Sequence, residues 1–300
     1  MDRDDVLGLG PVGLDEVLVV AAYPPADAKI RVLRREVCLG GLTGTALVAA
    51  ARLGSRCAYA GTLGTDDRAD RVLDILARYG VRVATTRRRA GVGPVLSTVV
   101  VSRADASRTV FSDPNGFTGP DVDWPPPEVI GAARVLLVDH VGVPGMTRAA
   151  TIARAAGVAV VADFERTTDP GLPALLGLAD HLIVGRAFAS AWTGLADPAD
   201  AARGLRAEGR AAVVVTGGAE GCWACDGPEG APRHLPAFKV EARDTTGCGD
   251  VFHGAYASAL ARGESFGDRL RIASAAAALK AAGAGIPDLA AVLEISRGYL

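Results

Sequence analysis

A disulfide framework, a metal-ligand cluster, a membrane span and a one-signed charge field are all missing from this 300-residue chain. Its five cysteines are scattered and odd in number, which argues against a paired disulfide scaffold. The four histidines, His140, His181, His234 and His253, show no ligand spacing. Basic residues number 32 and acidic residues 34, for a net charge of -2. That balance excludes the basic field of a nucleic-acid or membrane-surface protein, so neither partner is expected. No apolar run reaches the ~20 residues of a membrane span. The opening "MDRDDVLGLG" is acidic where a secretory leader is basic and then apolar, so the expected location is cytoplasmic. Internal repeats and low-complexity tails are absent too.

What is present suits a globular fold: 49% apolar and 22% charged residues, enough for a sizeable core without staples. From residue 133 onward, strand-like and helix-like segments alternate. "ARVLLVDH" (133–140) is a continuous apolar run typical of a strand buried on both faces. "MTRAATIARAAG" (146–157) follows with helical periodicity and a closing glycine. "VAVVADF" (158–164), "LPALLGLA" (172–179), "DHLIVG" (180–185), "PADAARGLRAEG" (198–209) and "AAVVVTGG" (211–218) continue the alternation. Repeated strand–helix–strand units predict a doubly wound α/β fold, a mostly parallel sheet with helices on both faces. The N-terminal third differs. "LDEVLVVAAYPP" (14–25) and "KIRVLRREVCLG" (29–40) read as two strands, and residues 92–114 as a hairpin turning at Arg103–Ser107. These predict a small β-lid from about 14–39 and 92–114 on a single domain spanning 1–300.

The most informative stretch is "DTTGCGDVFHGAYASALARG", residues 244–263. Glycines placed before a helix let the backbone approach a ligand, and the helix N-terminus offers unpaired N–H groups with a positive dipole end. Gly247, Cys248 and Gly249 therefore suit an anion. Asp250 has the wrong sign for an anion ligand. It fits either a helix cap or a base that takes the proton of an attacking hydroxyl. A second glycine-led helix start is "GGLTGTALVAAARLG", residues 40–54.

The two stretches together, about 200 residues apart, resemble the two signatures of the ribokinase (phosphofructokinase-B) family of sugar kinases. The second signature is matched by Asp244, Thr245, Thr246, Gly247, Cys248, Gly249 and Asp250, with Cys248 where alanine is usual. The first is matched by Gly40, Gly41 and Thr45, with Thr45 where many members have asparagine. The resemblance spans essentially the whole chain. It implies ATP-dependent phosphorylation of a primary sugar hydroxyl, with Asp250 as base and the amides of Gly247, Cys248 and Gly249 as anion hole. Asp15, Gly40, Gly41 and Thr45 would hold the sugar. Thr216, Gly218, Gly221, Thr245 and Ala278 would lie on the nucleotide side. ATP, Mg²⁺ and a monovalent cation such as K⁺ are the implied cofactors, and a homodimer through the lid the implied assembly. The magnesium ligands stay open, because Gly185-Arg186-Ala187-Phe188 stands where many members have Asn-x-x-Glu. An adenosine-type kinase of the same fold and a non-catalytic sugar sensor are the alternatives. Within the family the look is closest to the sulfofructose kinase and ketohexokinase branches. Lys29 matches a lysine that faces the sulfonate there, or serves solubility on an edge strand. Ser112 and Val141 stand where that branch has an asparagine and an arginine, which disfavours sulfofructose.

Two further patterns are read as decoys. "GLGPVG" (Gly8, Gly10, Gly13) fits a dinucleotide fingerprint, but strand-like residues follow it instead of a helix. Cys222 and Cys225 have C-x-x-C spacing but lie in a strand-like run, where their side chains face opposite ways and pack. His253 lies one turn from Asp250 and is read as a packing residue.

Overall fold

A computed structural model describes residues 3–105, 107–283 and 285–297. The turn expected at Arg103–Ser107 includes one residue outside this set, Ala106. The first third of the chain runs β1 (Asp4–Gly8), β2 (Gly13–Val20), β3 (Val32–Gly40), α1 (Leu42–Arg52), β4 (Cys57–Tyr59), β5 (Thr62–Leu63), α2 (Asp67–Arg78), β6 (Arg87–Arg88), β7 (Val95–Ser102) and β8 (Arg108–Asp113). Next come α3 (Pro127–Gly131), β9 (Ala133–Asp139), α4 (Val143–Ala155), β10 (Ala159–Phe164), α5 (Leu172–Gly177), β11 (His181–Gly185), α6 (Arg186–Thr193) and α7 (Pro198–Gly204). The chain closes with β12 (Ala212–Thr216), β13 (Cys222–Asp226), β14 (Arg233–Leu235), α8 (Cys248–Ala261), α9 (Phe266–Ala281) and α10 (Leu289–Arg297).

Eight strands form the main sheet in the order β14-β13-β12-β11-β10-β9-β1-β4. All neighbours from β12 to β4 are parallel, and β13 and β14 return antiparallel. The apolar runs become strands because both sheet faces are covered. Consecutive residues feed two separate cores: Val6, Val135, Val161, Ile183 and Val214 pack with α1, α2, α8 and α9, while Leu7, Leu136, Val160, Leu182 and Val213 pack with α4 to α7. Cys222 and Cys225 obey the same alternation, one in each core, and both are free thiols. Among the described residues no helix is long and apolar enough to cross a membrane. The chain leaves β1 toward β4 on one side and returns to β9 on the other. This reversal opens a crevice at the C-terminal strand ends, the usual ligand position in such sheets.

The second sheet, in the order β3-β2-β7-β8, stands over that crevice. Paired residues share a face. One rung is Cys38, Asp15, Ser97 and Ser112, so Ser112 lies on the same face as Asp15. The strand expected to start at residue 29 starts at Val32 instead. Pro24 and Pro25 remove donors and fix φ, and Asp27 turns left-handed at φ 59°, so the chain loops before pairing resumes. Lys29 is consequently an exposed loop residue beyond the Val20–Val32 pair. Val20 lies five positions along β2 from Asp15, about 17 Å of strand. The structure does not bring Lys29 together with Asp15.

Candidate active site

Two helix N-termini converge beneath the lid. α1 follows Gly41, whose φ of 83° belongs to the left-handed region, and a Cβ there would lie 2.5 Å from Pro11 O. α8 follows Gly247 at φ 71°. The two helices cross so closely that a Cβ on Gly254 would lie 2.0 Å from Ala46 O. Asp250 is the third residue of α8 and not its cap. A Cβ on Gly247 would sit 3.4 Å from Thr45 Cγ2 and 3.6 Å from Asp250 Oδ2, so both side chains border that glycine. The first full-turn bond of α8 runs from Val251 N to Gly247 O. The amides before it have no acceptor within the helix. Cys248 N is turned back to Thr245 O at 3.4 Å, and the amides of Gly249 and Asp250 follow it in the first turn of α8.

The loop before α8 is anchored from outside. Asp244 accepts from Thr246 N at 2.9 Å and from Lys280 Nζ at 2.8 Å. Burial pushes its carboxyl up, but these bonds outweigh burial and hold it below the usual carboxylate range. Thr246 Oγ1 is shielded and has no hydrogen-bond partner. Thr245 Oγ1 accepts from the Arg108 guanidinium, which reaches across from the lid.

Asp15 faces this floor from β2. A Cβ on Gly40 would lie 2.2 Å from Asp15 Oδ1, so only glycine leaves room for the carboxylate. Burial raises the Asp15 carboxyl above its usual range, and a hydrogen bond from Ser97 partly opposes this. Asp163, near the end of β10, and Glu165 just after it add acids to the same region. The Asp250 carboxyl is pushed well above its usual range, first by burial and then by the charges of Asp163 and Glu165. His253 counters them. Its Nδ1 lies 2.8 Å from Gly249 O and 3.4 Å from Asp163 Oδ2, and its Nε2 lies 2.9 Å from Ile183 O. The residue read as packing thus pins the first turn of α8 to β11 inside the site wall.

Beneath the crevice, Asp139 ends β9 and accepts from Val141 N at 2.7 Å and from Thr43 Oγ1 at 3.2 Å. It clamps α1 to the loop after β1, since a Cβ on Gly10 would overlap its Oδ2. Burial pushes its carboxyl up to about 8. The folded value exceeds the unfolded ~3.9, so the fold holds a proton that the unfolded chain releases. Its contribution is full below about pH 4 and is lost as pH rises toward 8. Asp139→Asn is therefore expected to melt no lower than wild type at pH 8. Its advantage should grow from pH 5 to pH 8 in thermal scans, and a melting point that falls relative to wild type over that range would contradict the clamp's charge cost.

On the far side of β11, Thr216 ends β12 and donates to Val184 O at 3.4 Å. The turn that follows carries Gly218 at φ 59°, open to its surroundings, and Gly221 at φ 93°, where a Cβ would lie 2.0 Å from Leu235 O. Ala278 lies on α9, 8% exposed, packed into the core on the α8 side.

The sequence profile of the pfkB family carbohydrate kinases matches residues 13–287. The chain belongs to this family. It is 27% identical over 307 residues to the ribokinase of Haemophilus influenzae, covering 97% of this chain and 98% of that one. It is 26% identical over 284 residues to the mouse ketohexokinase, covering 90% and 94%. A crystal structure from Agrobacterium tumefaciens, of a protein proposed to be a ribokinase, superposes with a TM-score of 0.92 at 27% identity, covering 99% of this chain and 98% of that one. The ribokinase of Arabidopsis thaliana, solved with ribose and ATP, has a TM-score of 0.81 at 22% identity over 99% of both chains, a likeness of fold. The pfkB kinase fold accounts for the sheet, the lid and the two glycine-led helices. Asp163, Glu165, Arg108 and Asp139 were not among the residues expected. The local hint was that each lies at or beside a strand end.

Proposed function

We propose that the protein transfers the γ-phosphoryl group of ATP to a primary hydroxyl of a ketose or related sugar, in the cytoplasm. The observation that carries the reading is the meeting of Asp250, Thr45 and the α8 amides at Gly247, with Asp15 above on the lid. Asp15 accepts hydrogen bonds from sugar hydroxyls, which a carboxylate can do in pairs. Gly40, Gly41 and Thr45 border the sugar. Asp250 takes the proton of the attacking hydroxyl, and its raised affinity for a proton suits that task. The amides of Gly249 and Asp250 stabilise the charge that develops on the transferred group. Lid closure, with Arg108 on Thr245, excludes water as a competing acceptor.

Among the described residues no cluster of three or more His, Cys, Asp or Glu forms a dedicated metal cage. Mg²⁺ needs none, since it commonly takes one or two carboxylates together with substrate phosphates and waters. Asp163 and Glu165 supply hard oxygen donors at the end of β10; burial first, and then the charge of Glu165, raises the Asp163 carboxyl, an environment that favours a cation. When bound, the metal neutralises charge on the phosphates.

The rung beside Asp15 is neutral, with Cys38, Ser97 and Ser112, and Val141 adds no charge. An uncharged sugar tail fits this better than a sulfonate. ADP release is to be measured with fructose, ribose, sulfofructose, fructose 6-phosphate, tagatose 6-phosphate, 2-keto-3-deoxygluconate and adenosine. The highest kcat/KM is expected on an uncharged sugar. Adenosine as best substrate would overturn the sugar assignment, and a tenfold lead for sulfofructose would overturn the reading of Ser112 and Val141. The lid also exposes Leu33, Val37, Val110 and Phe111, with Phe111 55% exposed. They lie on the two edge strands, β3 and β8, and an exposed edge strand is a template for pairing with another chain. A second copy is the proposed cover, and a monomeric mass in solution at micromolar concentration would contradict it.

A further inference from the structure

Arg186 opens α6 directly after β11, at the same sheet edge as Asp163 and Thr216. Its guanidinium lies 5.1 Å over the Trp223 ring, and Trp223 stacks in turn on His234 with 4.7 Å between centroids. This platform seats the cation over the indole ring. Gly217 lies under it. A Cβ there would be 2.7 Å from Trp223 Cζ3 and 3.0 Å from Arg186 Nη2, so a glycine lets the arginine rest on the turn. Glu220 Oε2 comes within 2.8 Å of Nη2. The contact is off the N–H axis, because Nε and Nη2 are both shielded from water and make no hydrogen bond.

Two shielded donors without acceptors are costly in a residue that offers five. An exposed ion pair with Glu220 contributes little in return. The arrangement is poor as a structural brace and suited to receiving an anion that offers oxygens in the guanidinium plane. From β10 to β12 is two strand spacings, about 10 Å. A polyphosphate whose reacting end lies at Asp250 and Asp163, and which runs along the strand ends, passes β11 and comes to the glycine turn. Gly218 leaves that turn open.

We infer that Arg186 is a contact for the nucleotide polyphosphate, held over the glycine turn by Trp223 and paired off-axis with Glu220 until an anion takes that place. The inference rests on the reading of the protein as an ATP-dependent kinase. It gives this chain a fixed cation at the position where the Asn-x-x-Glu of its relatives' signature is replaced.

The test is calorimetric titration of ATP, ADP and AMP, without sugar, into wild type, Arg186→Gln, Arg186→Lys and Glu220→Gln. Loss of an arginine–phosphate fork is expected to weaken ATP and ADP about ten- to hundredfold. AMP should change less than twofold, and Arg186→Lys should fall between. Glu220→Gln should bind ATP at least as tightly as wild type, because it removes a competitor. Equal ATP affinity in wild type and Arg186→Gln would overturn the assignment. So would an equal loss for ATP and AMP, or a Glu220→Gln variant as weak as Arg186→Gln, since either marks the pair as structural. Wild type that binds no ATP would sink the kinase reading itself, and Arg186's role with it.

Discussion

Asp250→Asn is expected to lower kcat by about 10²–10⁴-fold, the usual worth of a general base, while ATP and sugar binding change little. The variant should also melt no lower than wild type at neutral pH. Burial and the charges of Asp163 and Glu165 make an ionised Asp250 costly, and the amide removes that cost. The same shift predicts the pH profile. Activity needs the unprotonated carboxylate, so it is lost as pH falls through a value well above the ordinary carboxylate range. The acid limb of kcat/KM should therefore lie above pH 4 and vanish in the residual activity of the variant. Retention of more than about a tenth of wild-type kcat would remove Asp250 from the role.

The fold was legible because its signals are local. The run at 133–140 had to be a doubly buried strand, and β9 is one. The glycines at 40, 41 and 247 marked helix starts, and α1 and α8 begin there. The C-x-x-C pair was legible as packing for the same reason, since alternation along β13 sends the two thiols to opposite cores. The start of β3 was expected three residues early, at Lys29, because proline and a left-handed aspartate extend the loop to Val32. The residues missed in the site are those whose meaning depends on remote partners. Thr43 and Asp139 are 96 positions apart, His253 and Ile183 are 70, and Arg108 and Thr245 are 137. No periodicity or motif spans such distances. Only the folded sheet, by stacking the ends of β9, β10 and β11 beside α8, makes neighbours of them.

Asp15→Asn is expected to cost about a hundredfold or more in kcat/KM for the sugar, with KM for ATP within twofold of wild type. In the proposed role Asp15 would offer two acceptor oxygens to the substrate, and hydrogen bonds to a charged group contribute about 1.5–3 kcal/mol each. Asparagine keeps one acceptor and presents a donor where the second stood, so one sugar hydroxyl loses its partner. Burial raises the Asp15 carboxyl despite the Ser97 bond, so its folded value lies above the unfolded one. Such a group destabilises the fold as pH rises above about 4. The asparagine variant should therefore melt at the same temperature or higher at pH 7. A function lost while stability holds or rises is the mark of a charge kept for its ligand. The measurement is a melting scan beside steady-state kinetics in both substrates. A variant that loses activity only in proportion to its unfolded fraction would make Asp15 a scaffold residue. One that raises KM for ATP as much as for sugar would place it on the wrong substrate. Gly40 sharpens the test, because a Cβ there would lie 2.2 Å from Asp15 Oδ1. Gly40→Ala should displace the same carboxylate without removing its charge, and so reproduce the loss in sugar kinetics with none of the gain in melting temperature.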